Sequence, residues 1–185
     1  MKKLNFLAAF FLAVAMLTTT FTSCNKDDDE GSSDPKDLVG TWKVISEEAW
    51  WKDSDGESGH EIDNNDDDNK YWETYTFNAD GTWYSDAFEK AKGNQYYHDE
   101  GTYTTSKNKI TIRLIYKGRT KNATFSSDNG VIKFNYKDFS WTEQSFDKDD
   151  DGVVVFSVSG NTLTFTEEDT DEGDWVKAVM TLKKQ

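Results

Sequence analysis

Beyond residue 38 the apolar side chains recur at every second position. Ile110, Ile112, Leu114 and Tyr116 share one face with Thr111 and Arg113 opposite, and Ile132, Phe134 and Tyr136 alternate with Lys133, Asn135 and Lys137. The same alternation runs through Tyr71 to Phe77, Leu163 to Thr166 and Val176 to Leu182. A period of two is the mark of a strand with one buried face, and helical spacing is scarcely visible. Turn residues punctuate the runs at Asn78-Ala-Asp-Gly81, Ser106-Lys-Asn108, Asp128-Asn-Gly130, Asp147 to Gly152 and Ser159-Gly-Asn161. The pattern predicts an all-β antiparallel meander of about eight to ten strands. Closing such a sheet into an up-and-down barrel removes its exposed edges; a β-sandwich is the alternative architecture.

The segment Lys52 to Lys70 is dominated by Asp, Asn, Ser and Gly and reads as a mobile loop between the first two strands. At the other extreme, Phe6 to Leu17 is an apolar run of twelve residues that follows Lys2 and Lys3 and precedes Ser23-Cys24. It is shorter than the roughly 20 residues an apolar membrane-spanning helix needs. Its flanks are those of an export signal, with residues 1–23 removed and the single cysteine, Cys24, made a lipid attachment point. Residues 24–37 carry no apolar side chain after the cysteine and read as a flexible acidic tether. Residues 38–185 form one domain, which has no cysteine and therefore rests on its core.

Charge narrows the partners. The chain carries 21 basic and 35 acidic residues, a net charge of −14. Loss of Lys2 and Lys3 with the signal deepens it to near −16. A domain this acidic repels nucleic acid and anionic membrane surfaces, so its contact with a membrane would be the lipid on Cys24. Asp147, Asp149, Asp151 and Gly152 repeat the spacing of a calcium loop, which predicts weak calcium binding there. Val158 stands where such a loop carries its bidentate Glu, and a solvated hairpin tip accounts for the same residues. The only histidines are His60 and His98, and no nucleophile, phosphate-loop or zinc-protease motif occurs. The chain therefore reads as a non-enzyme, leaving only a carboxylate-pair hydrolase, which spacing in three dimensions alone would reveal.

Seven Trp, eight Tyr and twelve Phe exceed what turns and surface need. They supply a core and cross-strand pairs, or in part a ligand pocket. Trp50 and Trp51 are adjacent on a strand and so face opposite ways; burying both needs a special place, as it does for Tyr71-Trp72 and Tyr96-Tyr97.

The opening Gly40-Thr41-Trp42 resembles the Gly-x-Trp entry of lipocalins. Tyr75-Thr-Phe-Asn-Ala-Asp-Gly-Thr82, Gly101-Thr-Tyr103 and Ser159-Gly-Asn-Thr-Leu-Thr-Phe165 resemble the lipocalin-like lipoproteins of Bacteroidota, over roughly residues 38–182. Lys26-Asp27-Asp28 resembles the surface-export signal of those lipoproteins, which implies an outer-membrane protein facing outward; a periplasm-facing lipoprotein is the alternative. Lipocalins set an Arg over the entry Trp, and here Lys177 or Lys183 would substitute. The resemblance implies a small apolar or amphipathic ligand held among Trp42, Tyr75, Phe77, Ile112, Leu114, Phe134 and Tyr136, with no cofactor beyond the weak calcium. The same residues would make a plain core in a solid barrel, which would meet a protein or glycan partner through its acidic loops. The sequence leaves oligomeric state open.

Overall fold

The computed structural model describes residues 34–65, 70–121, 125–128, 131–134, 140–143, 152–171 and 173–185, with backbone alone for those between 125 and 143. After a short helix, α1 (Pro35–Leu38), come twelve strands: β1 (Gly40–Lys52), β2 (Ser58–Asn64), β3 (Tyr71–Phe77), β4 (Thr82–Glu89), β5 (Gln95–Ser106) and β6 (Lys109–Thr120), then β7 (Phe125–Asp128), β8 (Val131–Phe134), β9 (Ser140–Glu143), β10 (Gly152–Ser159), β11 (Thr162–Asp171) and β12 (Asp174–Lys184). Turn chemistry joins them as the sequence predicts. Gly81 and Gly160 take φ of +84° and +60°, and Asn78 donates twice to Thr82 across the β3–β4 turn, from its backbone N–H to the carbonyl and from its side-chain amide to the hydroxyl.

The order β10-β11-β12-β1-β3-β4-β5-β6 is antiparallel throughout, and β6 pairs back with β10 from Gly152↔Ile112 to Val155↔Lys109. The sheet thus closes into an up-and-down ring of eight strands. Two strands change partner partway. Residues 40–43 of β1 pair with β3, whereas Ser46 to Lys52 pair with β2. Likewise β6 pairs with β10 over residues 109–112 and with β9 over residues 116–119. The ring is therefore closed at one end and splits along two seams at the other.

A register shift lies at each switch: on β1 between Val44 and Ser46, and between β5 and β6 at Glu100/Gly101 opposite Tyr116 and Leu114. One extra residue in a strand with a period of two reverses which side chains face inward. Trp42 and Val44 point into the ring below the first bulge, and Glu47, Ala49 and Trp51 above it. Ile110, Ile112 and Leu114 point inward below the second, and Lys117 and Arg119 above it.

The closed end is packed solid. Trp42, Val44, Tyr75, Phe77, Trp83, Ile110, Ile112, Val154, Phe156, Leu163, Phe165, Met180 and Leu182 form one buried cluster with Leu38 of α1. Trp42 Nε1 donates to the Leu38 carbonyl at 2.7 Å, so the helix caps the floor. Gly40 has φ of +139°, and a Cβ there would meet Lys184 Cε at 3.0 Å. That lysine, not Lys177 or Lys183, holds its ammonium 5.0 Å from the centre of the Trp42 ring. Register decides this: Lys184 is opposite Trp42, Lys183 opposite Lys43 on the outer face, and Lys177 opposite Trp50 at the far end.

Two expectations change. Within Lys52 to Lys70 lies β2, whose seven residues pair with β1 from Ser46↔Asn64 to Lys52↔Ser58. Trp50 stacks on His60 with ring centroids 4.7 Å apart, and Trp51 lies so close over Gly59 that a Cβ there would overlap its indole. The ring holds eight strands, within the eight to ten expected, and β2 and the short β7, β8 and β9 lie off it. Finally, α1 takes residues 35–37 from the expected tether, with Asp34 accepting from Lys36 N at 2.9 Å as its cap.

Candidate functional site

Above the two bulges the interior changes character. β1 contributes Glu47 and Ala49, β3 Tyr71 and Glu73, β4 Ala87 and Glu89, β5 Tyr97 and Asp99, β6 Lys117 and Arg119, β11 Glu167 and β12 Ala178. Alternation from the packed cluster puts each on the inner face: Glu47 is opposite the core residue Met180, and Glu73 is two residues from Tyr75. Here the ring becomes a polar cup.

On its β4–β5–β6 wall the charges are paired. Arg119 donates to Asp99 at 2.7 Å and lies 4.6 Å over the Tyr97 ring; Lys92 reaches Glu89 at 2.9 Å. Across the β1–β3 seam the arrangement differs. Glu73 accepts hydrogen bonds from the hydroxyls of both Tyr71 and Tyr75. Glu47 is 7% exposed, and the charges of Glu73 and Asp63 act on it.

Burial, with the charges of Glu73 and Asp63 nearby, pushes the Glu47 carboxyl up to about 8. Burial also lifts Glu73, against the two tyrosine hydroxyls that favour its charged form; Asp99 adds to the rise and Arg119 opposes it. Both tyrosines are driven well above their ordinary range by burial and by Glu73 and Glu47. Glu167 is raised by burial and by Asp169, and burial lowers Lys117. The seam thus gathers carboxyls whose pKa values burial raises.

The residues expected to line a pocket fall into two sets. Trp42, Tyr75, Phe77 and Ile112 belong to the packed cluster, and Leu114 packs against it. Tyr75 alone among them also reaches the polar cup, through its hydroxyl. Phe134 ends β8, which pairs only with β7 in a separate two-stranded sheet. Tyr136, Cys24, Asp147, Asp149 and Asp151 lie outside the described residues. Among the described residues no group of three or more His, Cys, Asp or Glu side chains is arranged to hold a metal ion.

The opposite face of β3–β4–β5–β6 is buried as well. Trp72 and Phe88 stack at 6.4 Å, Phe88 and Tyr96 lie tilted with centroids 4.9 Å apart, and His98 shares a buried hydrogen bond with Asp86 while its Nε2 lies 3.6 Å from Glu100. This explains the adjacent aromatics: Tyr71 and Tyr97 face the cup, and Trp72 and Tyr96 the outer layer. His98 is thus held in a polar pair within an aromatic layer, away from the cup.

Fold and site together define an antiparallel up-and-down β-barrel, apolar and filled at one end and acidic at the other. Comparison of the chain with protein-family models, curated proteins and solved structures gave no match.

Proposed function

We propose that this chain is a lipid-anchored, outward-facing lipocalin-like protein of the outer membrane that binds a small amphipathic ligand in the open half of its barrel, without catalysis. The observation that carries the reading is the change of the inner face from the packed apolar cluster to polar side chains, with Glu47 largely buried near Glu73 and Asp63, since burial of a carboxyl among other carboxyls costs free energy. Trp42, Tyr75, Phe77 and Ile112 pack into one cluster, so the reading sets the site in the cup. The anchor rests on the apolar run ahead of Cys24. Tryptophan emission tests binding: Trp51 stands at the cup rim, and a ligand there changes its emission saturably, whereas a flat response to amphiphiles of every charge overturns the reading. Mass spectrometry of the membrane fraction tests the anchor, with a diacylglyceryl adduct on Cys24 expected.

The filled apolar end favours a second reading, a solid barrel that meets a protein or glycan partner through its acidic loops. Recovery of one partner by the surface-anchored form, with no small-molecule response, would select it.

A further inference from the structure

We propose that the outer edge of β2 is a protein-binding site, which takes up an extended segment of a partner, alternating basic and apolar residues, as a further strand of the sheet. The site is separate from the cup and holds whether or not the cup binds a ligand. Among the described residues β2 pairs with β1 alone, and every residue of it except Gly59 is exposed. Two backbone hydrogen bonds frame that pairing: Asp53 N donates to the Glu57 carbonyl at 2.8 Å, and Asn65 N to the Ile45 carbonyl at 3.0 Å. Both continue the register that runs from Ser46↔Asn64 to Lys52↔Ser58. Hydrogen-bonded pairs alternate along an antiparallel ladder, so Gly59, Glu61 and Asp63 turn their backbone groups to β1. The N–H and C=O groups of Ser58, His60, Ile62 and Asn64 therefore point to the open edge.

Edge strands are commonly guarded by proline, lysine or a bulge. β2 has no proline, lysine or arginine, and its register with β1 is unbroken. Apart from His60, its ionisable side chains are acidic. Glu61 and Asp63 share the side of Ala49 and Glu47, their partners on β1, and His60 and Ile62 share the side of Trp50 and Glu48. Ile62 is 52% exposed. An added strand thus meets carboxylates on one face and an apolar, aromatic row on the other, and side chains alternating between lysine or arginine and valine or isoleucine match both. The edge is braced before a partner arrives, because Trp50 stacks on His60 and Trp51 covers Gly59.

A second copy of this chain is the wrong occupant. Antiparallel pairing of β2 with itself, centred on Glu61, sets that carboxylate against its own copy, between two chains that each carry a net charge of −14. A basic segment is drawn by the same charges. The acidic side chains thereby select between partners that the backbone edge alone would accept equally.

The test is calorimetry and amide exchange of the protein at neutral pH with two capped peptides matched in length to β2, one alternating lysine and valine, the other glutamate and valine. Saturable binding of the lysine peptide alone is expected. The amides of Ser58, His60, Ile62 and Asn64 should gain protection, and those of Gly59, Glu61 and Asp63, already turned to β1, should change little. Ile62→Pro removes an outward N–H and leaves the β1 ladder; it should weaken binding at least about tenfold, whereas Ile62→Val keeps it. Glu61→Gln with Asp63→Asn should weaken it about fivefold and flatten its salt dependence. Thermal melts establish that the variants fold, and the peptide pair on the unaltered protein decides the matter without them. Equal or tighter binding of the glutamate peptide overturns the charge match. Binding that leaves the outward amides unprotected, or no binding, overturns the site. A dimer that Ile62→Pro dissolves overturns it in favour of a second copy.

Discussion

Glu47 and Trp42 lie five residues apart on one strand, both face the barrel interior, and they meet opposite environments. Trp42 satisfies its single donor on Leu38 and carries Lys184 over its ring; Glu47 is buried near the carboxyls of Glu73 and Asp63. A carboxyl raised from 4.5 to about 8 binds its proton more tightly folded than unfolded. Between those values the unfolded state holds fewer protons, so stability falls as pH rises from about 5 to 8. Glu47→Gln should remove that slope and make the protein more stable at pH 8 by on the order of a few kcal/mol, measured by urea unfolding at pH 5 and 8. Trp42→Phe should cost about 1–3 kcal/mol through the orphaned Leu38 carbonyl and the lost indole area. Glu73 was legible in the chain, in phase with Tyr71, Tyr75 and Phe77. Glu47 was not, because it stands out of phase with Trp42 and Val44 until the bulge at Ile45 reverses the parity, and nothing in Val44-Ile45-Ser46 announces a bulge.

Among the elements, β1 and β6 are the strands that organise the site, each serving the ring with one half and a flanking strand with the other. Their inward faces switch at the bulge, from Trp42 and Val44 to Glu47, Ala49 and Trp51 on β1 and from Ile110, Ile112 and Leu114 to Lys117 and Arg119 on β6, so each irregularity changes the chemistry of its seam. Alternation made β3, β6, β11 and β12 readable from their apolar residues. It hid β2, where Ser58-Gly-His-Glu-Ile-Asp-Asn64 has little strand propensity of its own; Trp50 and Trp51 supply the cover, one on His60 and the other on Gly59. Gly59→Ala should displace Trp51 and loosen β2, seen as faster amide exchange across residues 58–64 with a modest loss of stability. Gly101→Ala should be worse, by about 1–3 kcal/mol or more, because its Cβ would drive into the Arg113 carbonyl, and backbone yields less readily than an indole. Thermal melts of the two variants rank them.

Across the whole molecule, the two ends divide the work. Thirteen side chains of the closed end, with Leu38 beneath them, make a core that needs no disulfide. Phe165→Ala, at its centre, should cost about 3–5 kcal/mol by chemical denaturation. The open end spends polar groups where packing would have used leucine, and buried charge of that kind is a cost that function explains better than folding. The proposed tether at Cys24 would leave such a cup facing the medium; Cys24→Ala should move the protein from the membrane to the soluble fraction. The most direct measurement is an NMR titration of the side-chain carboxyl carbons. One glutamate should titrate near pH 8 and vanish in Glu47→Gln. If every glutamate titrates between about 4 and 5, Glu47 is solvated, and the cup is not the buried acidic site described above.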